Sequence, residues 1–134
     1  MNPTANAQDQ GPGPAQLSGP ALRTFFNIAR DWRLTIEQQR ILLGGPSRST
    51  LFVWRKDQDI ELSRDVLERI SYVLGIYKAL HILFPDAAQA DGWIHRANAA
   101  VPFNGQSALQ RMLHGSVADL YAVRAYLDGV RGWN

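Results

Sequence analysis

The sequence contains no cysteine and only three histidines, His81, His95 and His114. Disulfides and thiolate chemistry are therefore excluded. A zinc site also lacks its usual donors, since no two histidines stand at i, i+4. Neither metal ligands nor a cofactor are expected. Long apolar runs are missing too. The most apolar stretch, Val73 to Phe84, is interrupted by Lys78 and His81 and is too short to span a bilayer. Met1-Asn2-Pro3-Thr4 carries no basic segment and no apolar run, so a secretory signal is not expected. The expectation is a cytoplasmic protein with no membrane partner. No segment alternates with period 2, which removes strands and leaves an all-α chain. Gly44-Gly45-Pro46-Ser47 lacks the Gly-Lys-Ser/Thr ending of a phosphate loop and follows a helix, not a strand. No histidine has an evident partner for a nucleophile triad: His81 reads as a satisfied core-edge residue, and His114 as a helix C-terminal residue favoured by the dipole. Asp57, Asp59 and Glu61 read as a solvated loop. No catalytic residue is assigned, and the chain is not expected to be an enzyme.

What is present is one domain's worth of chain, 134 residues with 46% hydrophobic and 19% charged side chains. The net charge of +2 conceals an asymmetry. Between Ala21 and Lys56, Arg23, Arg30, Arg33, Arg40, Arg48, Arg55 and Lys56 face only Asp31 and Glu37, whereas the remainder is slightly acidic. A basic front half suits a polyanion, although solvated arginines also populate ordinary helical surfaces.

Residues 1–19, rich in Gln, Gly, Pro, Ala and Asn, read as a disordered leader. A first helix is expected from Pro20 to about Leu34, with Leu22, Phe25, Phe26, Ala29 and Trp32 on one face. Thr35 with Gln38 forms a capping-box signature for a short helix, Ile36 to Leu43, which ends at Gly44-Gly45-Pro46. Ser47 or Ser49 caps the next helix, to about Lys56. Ser63 caps the longest, Arg64 to about Leu83, with an apolar seam of Val66, Ile70, Val73, Tyr77, Leu80 and Phe84. Gly75 within it costs about 1 kcal/mol relative to alanine, a cost that close helix–helix approach could offset. Asp86 opens a short helix carrying Trp93 and Ile94, and Ala99 to Gly105 is a loop. Ser107 to Leu113 forms a turn or two of helix. Ser116 caps the final helix, whose inner face is Val117, Leu120, Val123, Leu127 and Val130.

Two short helices meeting at a glycine turn, the second led by polar residues, form a helix–turn–helix pattern. Ser47, Arg48, Ser49, Thr50, Arg55 and Lys56 are the candidate DNA-binding residues, supplying groups for base edges and phosphates. The alternative is that Leu51, Phe52 and Trp54 plug a core and the arginines are solvated. Ile41 stands four before Gly45, where a small residue is usual, and is expected to open the interhelix angle.

The order of elements resembles the Xre/MbcA/ParS-like antitoxins, partners of RES-domain toxins. In the front half the resemblance rests on Leu42-Leu43-Gly44-Gly45, Ser49-Thr50-Leu51 and Trp54-Arg55-Lys56. In the back half it rests on Trp93, Asn98, Phe103-Asn104-Gly105, Ser107-Ala108-Leu109, Met112, Gly115, Leu120, Val123 and Leu127. Ala97 replaces a frequent proline, and Ser107-Ala108 a frequent Pro-Leu or Pro-Ala pair. The fold implied is an Xre-like helix–turn–helix unit (20–62), a long central helix (63–83) and a small helical toxin-binding domain (84–134). The function implied is that of a type II antitoxin that inhibits a RES-domain ADP-ribosyltransferase or NAD-consuming toxin by blocking its NAD pocket. The same protein would act as a homodimer that binds operator DNA as an autorepressor. The alternative is a plain helix–turn–helix regulator whose C-terminal domain only dimerises. Phe103, Asn104, Gly105, Arg111, Met112, Arg124, Leu127, Asp128, Arg131, Trp133 and Asn134 are the candidate toxin-binding residues. Arg124 and Arg131 lie seven apart on one helical face. Trp133, a favoured type of interface anchor, either reaches the partner or folds back on its own helix.

Overall fold

The computed structural model describes residues 14–57 and 59–132, so residues 1–13 of the expected leader, Gln58, Trp133 and Asn134 lie outside the described residues. Among the described residues seven α-helices follow one another: α1 (Pro14–Asp31), α2 (Ile36–Leu42), α3 (Arg48–Lys56), α4 (Arg64–Leu83), α5 (Ala87–Gly92), α6 (Ala108–Met112) and α7 (Val117–Val130). A 3-10 turn, Trp93–His95, follows α5, so Trp93 and Ile94 lie just beyond the helix expected to carry them. Among the described residues no strand forms, only an isolated antiparallel bridge between Ala97 and Ser107.

The helix starts follow local chemistry closely. Thr35 and Gln38 form the reciprocal capping box, and Ser47, Ser63, Ser107 and Ser116 each accept an N–H of the first turn they cap. Asp86 does the same for Ala88 at the start of α5. Gly44 and Gly45 hold φ of +96° and +90°, which only glycine adopts without strain.

The first helix differs from expectation. It begins at Pro14, not Pro20, and Pro20 lies inside it. Proline within a helix removes one backbone hydrogen bond and crowds the preceding turn, a cost of about 3 kcal/mol. A tertiary contact accounts for the extension: Ser18 is wholly buried, and its hydroxyl accepts the Leu62 N–H at 2.8 Å. That bond stitches the helix to the segment before α4, so residues 14–19 are helix and not leader. At the other end α1 stops at Asp31 through a Schellman turn. Leu34 N–H bonds to Ala29 O at 2.9 Å, and Arg33 N–H to Arg30 O at 3.1 Å.

α4 is the centre of the molecule and packs most extensively against α7 and α1. The expected seam is only part of its buried surface. Ile76 and Ala79 are buried alongside Ile70, Val73 and Leu80, because α4 is covered from two sides. The side facing α7 includes Gly75, where an added Cβ would collide with the Arg124 guanidinium. The space at the glycine is taken by a side chain lying across it, where a close approach of helix backbones was expected. α7 buries Leu120, Val123 and Leu127 as anticipated, while Val130 at its end is exposed.

Three further contacts fasten the front to the rest of the molecule. Arg69 pairs with Asp65 at 3.0 Å, donates to Gly115 O at 2.9 Å and lies against Gly44, so one guanidinium touches both glycine turns. Ile41 points toward Gly115, which gives its bulk a place outside the α2–α3 turn. Tyr77 donates to Asp31 at 2.8 Å, and burial together with that carboxylate pushes its phenol up to about 12.

Candidate functional site

The six residues expected to read DNA lie together on α3 and its cap, but they are not equivalent. Ser47 is spent on capping: its hydroxyl accepts Thr50 N–H at 3.1 Å and contacts the Ser49 and Thr50 hydroxyls. Arg48 is 58% exposed, 3.6 Å from Glu37 and beside the Phe52 ring. Ser49 and Lys56 are exposed, and Thr50 is half-buried. Arg55 is held in place. It donates to Gln39 Oε1 at 2.7 Å while its guanidinium sits 5.0 Å from the centroid of Phe26. Gln39 in turn is buried and donates to Leu34 O at 3.0 Å. Arg55 thus welds α1, α2 and α3. Of the four apolar residues on α3, Leu51 alone is fully buried and Trp54 packs at the core edge, while Phe52 and Val53 are exposed on the outer face. One face of α3 plugs the core, and the other presents Arg48, Ser49, Phe52, Val53 and Lys56.

The back half groups its residues differently. Phe103 is buried, with its ring edge-on to Trp93 at 5.8 Å and to Tyr126 at 5.1 Å, and Trp93 stacks on Tyr126 at 6.2 Å. Met112 and Leu127 are buried as well. Asn104 and Gly105 form the turn after Phe103 with φ of +50° and +88°, both exposed, and Gly105 N–H closes it on Asn98 O at 2.8 Å. Asn98 also accepts Ala100 N–H, so the loop folds around its side chain. Arg111 donates to Asp119 Oδ1 at 2.9 Å and to Pro102 O at 2.8 Å, and the other Asp119 oxygen accepts Ser116 N–H. One arginine therefore ties the loop, α6 and the start of α7 together.

Arg124, Asp128 and Arg131 form a line along α7. Asp128 lies 3.3 Å from Arg124 and 4.0 Å from Arg131, and the two arginine side chains are 33% and 13% exposed. Their forks are positioned, not waving in solvent. The line continues backward to Tyr121, which is 57% exposed and edge-on to Tyr72 of α4 at 5.9 Å. Trp133 and Asn134 lie outside the described residues. Two residues escaped the sequence reading of this face: Tyr72 and Tyr121. Tyr121 falls outside the inner-face spacing of α7, and a signal for it existed in being aromatic three residues before Arg124. Val101, 85% exposed beside the buried Phe103, also went unmarked because loops carry no periodicity.

Two other histidines are accounted for internally. His81 bonds Asp91 at 2.7 Å and stacks on Tyr77, and His95 bonds Trp32 O at 2.7 Å. Among the described residues no group of His, Asp or Glu could hold a metal ion, and no helix is long and apolar enough to cross a membrane.

Residues 79–132 match the family described as the antitoxin Xre/MbcA/ParS C-terminal toxin-binding domain, and residues 12–75 match the antitoxin Xre-like helix-turn-helix domain. The junction between the two matches falls inside α4. The chain is also 50% identical over 111 residues to an uncharacterized protein, y4oB, of Sinorhizobium fredii (strain NBRC 101917 / NGR234), covering 83% of this chain and 84% of that protein.

Proposed function

From a chain that belongs to the Xre/MbcA/ParS antitoxin family, we propose an antitoxin that inhibits a RES-domain, NAD-consuming or ADP-ribosyltransferase toxin by covering its NAD pocket. The observation that carries this reading is the line Arg124–Asp128–Arg131 on α7, held across Gly75 and leading into the C-terminus. A guanidinium fixed by a neighbouring carboxylate loses little entropy on docking and suits a pocket built for pyrophosphate. Tyr121 and Tyr72 extend that face with the aromatic surface common at interfaces. The Phe103 cluster packs on Tyr126 of the same helix, and the Arg111–Asp119 pair fixes where that helix starts. In this reading the toxin-binding unit takes α4 as its floor and reaches from there to the C-terminus.

The front half acts as an autorepressor on operator DNA through α3, in a homodimer that spans two half-sites. Exposed Arg48, Ser49 and Lys56 support this part of the reading.

The test is NAD consumption by a RES-domain toxin co-expressed with this chain, assayed with the full-length antitoxin. Wild-type protein is expected to abolish turnover, and Arg124→Ala with Arg131→Ala to restore a large part of it, with helical content unchanged by circular dichroism. Full inhibition by the double variant overturns the pocket assignment. A wild-type protein that binds DNA but no such toxin leaves the plain regulator.

A further inference from the structure

A cleft of about 420 Å³ opens where the end of α1, the middle of α2 and the last turn of α3 meet. Arg30, Arg33 and Arg55 all line it, together with Asn27 and Gln39, and no carboxylate does. Asp31, the nearest acidic neighbour in sequence, stands outside the lining: it accepts the Tyr77 hydroxyl at 2.8 Å and reaches only one of the three guanidinium groups, Arg30, at 3.6 Å. Arg55 is held by Gln39 and the Phe26 ring, so one cation of the cleft lining is fixed in place.

The second observation concerns Arg33. It occupies the left-handed position of the Schellman turn that ends α1, with φ of +56°. Glycine is the usual residue there, and a side chain with a Cβ is strained. Among the described residues Arg33 makes no ion pair or side-chain hydrogen bond that would account for it. A strained position held by a long cation, on the rim of a cleft with two more, points outward to a ligand.

We infer that this cleft binds a phosphate of the DNA backbone, with Arg33 and Arg30 closing over it and Arg55 beneath. A guanidinium fork matches phosphate oxygens in pairs, and the cleft adjoins α3, so the phosphate gripped lies beside the groove that α3 enters. This rests on the DNA-binding reading above and adds to it a clamp at the far end of α1, outside the helix–turn–helix pair. It also gives the positive front half a specific point of contact.

The experiment titrates the full chain with a mixed-sequence DNA duplex over a range of salt, comparing wild type with Arg33→Gly and Arg23→Ala. Arg33→Gly removes the side chain while relieving the backbone, so its melting temperature is expected not to fall. Its affinity is expected to drop several-fold and the slope of log K against log salt to shrink by about 0.9, one phosphate contact. Arg23→Ala, which removes the same charge from an exposed site on α1, is expected to change the slope by clearly less. Wild-type binding with an unchanged Arg33→Gly slope, or an equal loss in both variants, overturns the clamp alone. No salt-dependent binding by the wild type overturns the DNA reading and the clamp with it.

Discussion

The front and back halves of this molecule use their candidate binding residues in opposite ways. On α3 the chemistry is on the surface: Arg48, Ser49 and Lys56 face solvent, and Arg55 is the only one of the four with a clear structural duty. In the back half the residues most characteristic of the toxin-binding domain are inside. Phe103, Met112 and Leu127 are buried, and Arg111 is occupied by Asp119 and Pro102. A motif that is strong in sequence is thus a scaffold here, and the exposed aromatic and apolar side chains come from positions with weaker signatures, Tyr121 and Val101. The difference follows from how each surface is built. A helix–turn–helix needs few core residues and leaves one face of a short helix to its ligand. A loop that must keep a fixed shape has to spend its distinctive residues holding itself.

The largest test of this contrast is Phe103→Ala. Removing a buried aromatic that contacts two other rings is expected to cost about 3–5 kcal/mol, read as a lower urea midpoint. A cost below about 1 kcal/mol would mean that the motif is surface after all, and the contrast would collapse. The next test separates two arginines on one helix. Arg55→Ala strands the buried Gln39 acceptor and is expected to lose about 1–3 kcal/mol. Arg48→Ala is expected to stay within about 0.5 kcal/mol of wild type while lowering DNA affinity. Equal stability of the two variants would make Arg55 as free as Arg48. The smallest effect is expected from Gly75→Ala. Helix propensity favours alanine by about 1 kcal/mol, but the new methyl displaces the Arg124 guanidinium. Net stability is expected to move by less than about 1 kcal/mol, whereas toxin inhibition falls as far as with Arg124→Ala. Combining the two substitutions should then add nothing further to the loss of inhibition.

Much of the fold was legible because it is local. Each helix from α2 onward begins at a side chain that caps it, and Ser, Thr and Asp do this wherever backbone N–H groups would otherwise be unpaired. The Gly44-Gly45 turn and the all-helical class follow from the same short-range chemistry. The candidate site was legible in composition but not in orientation. Arg124 and Arg131 were visible as a pair seven apart, yet nothing local says that Asp128 would hold both or that Gly75, about fifty residues earlier, would let Arg124 lie flat.

The sequence by itself determined the helices, their caps and turns, and the family, since these depend on residues within a few positions of one another or on an ordered pattern of types. Tertiary structure alone decided three things. It carried α1 back to Pro14, because the Ser18 hydroxyl meets an N–H at Leu62, and a proline in mid-helix is tolerated only with such distant support. It turned the Phe103 motif inward, because burial depends on what α7 and the 3-10 turn bring against it. It also gathered Arg30, Arg33 and Arg55 around one cleft. Those arginines come from two helices and the turn that ends one of them, and no spacing rule relates residues that only packing brings together.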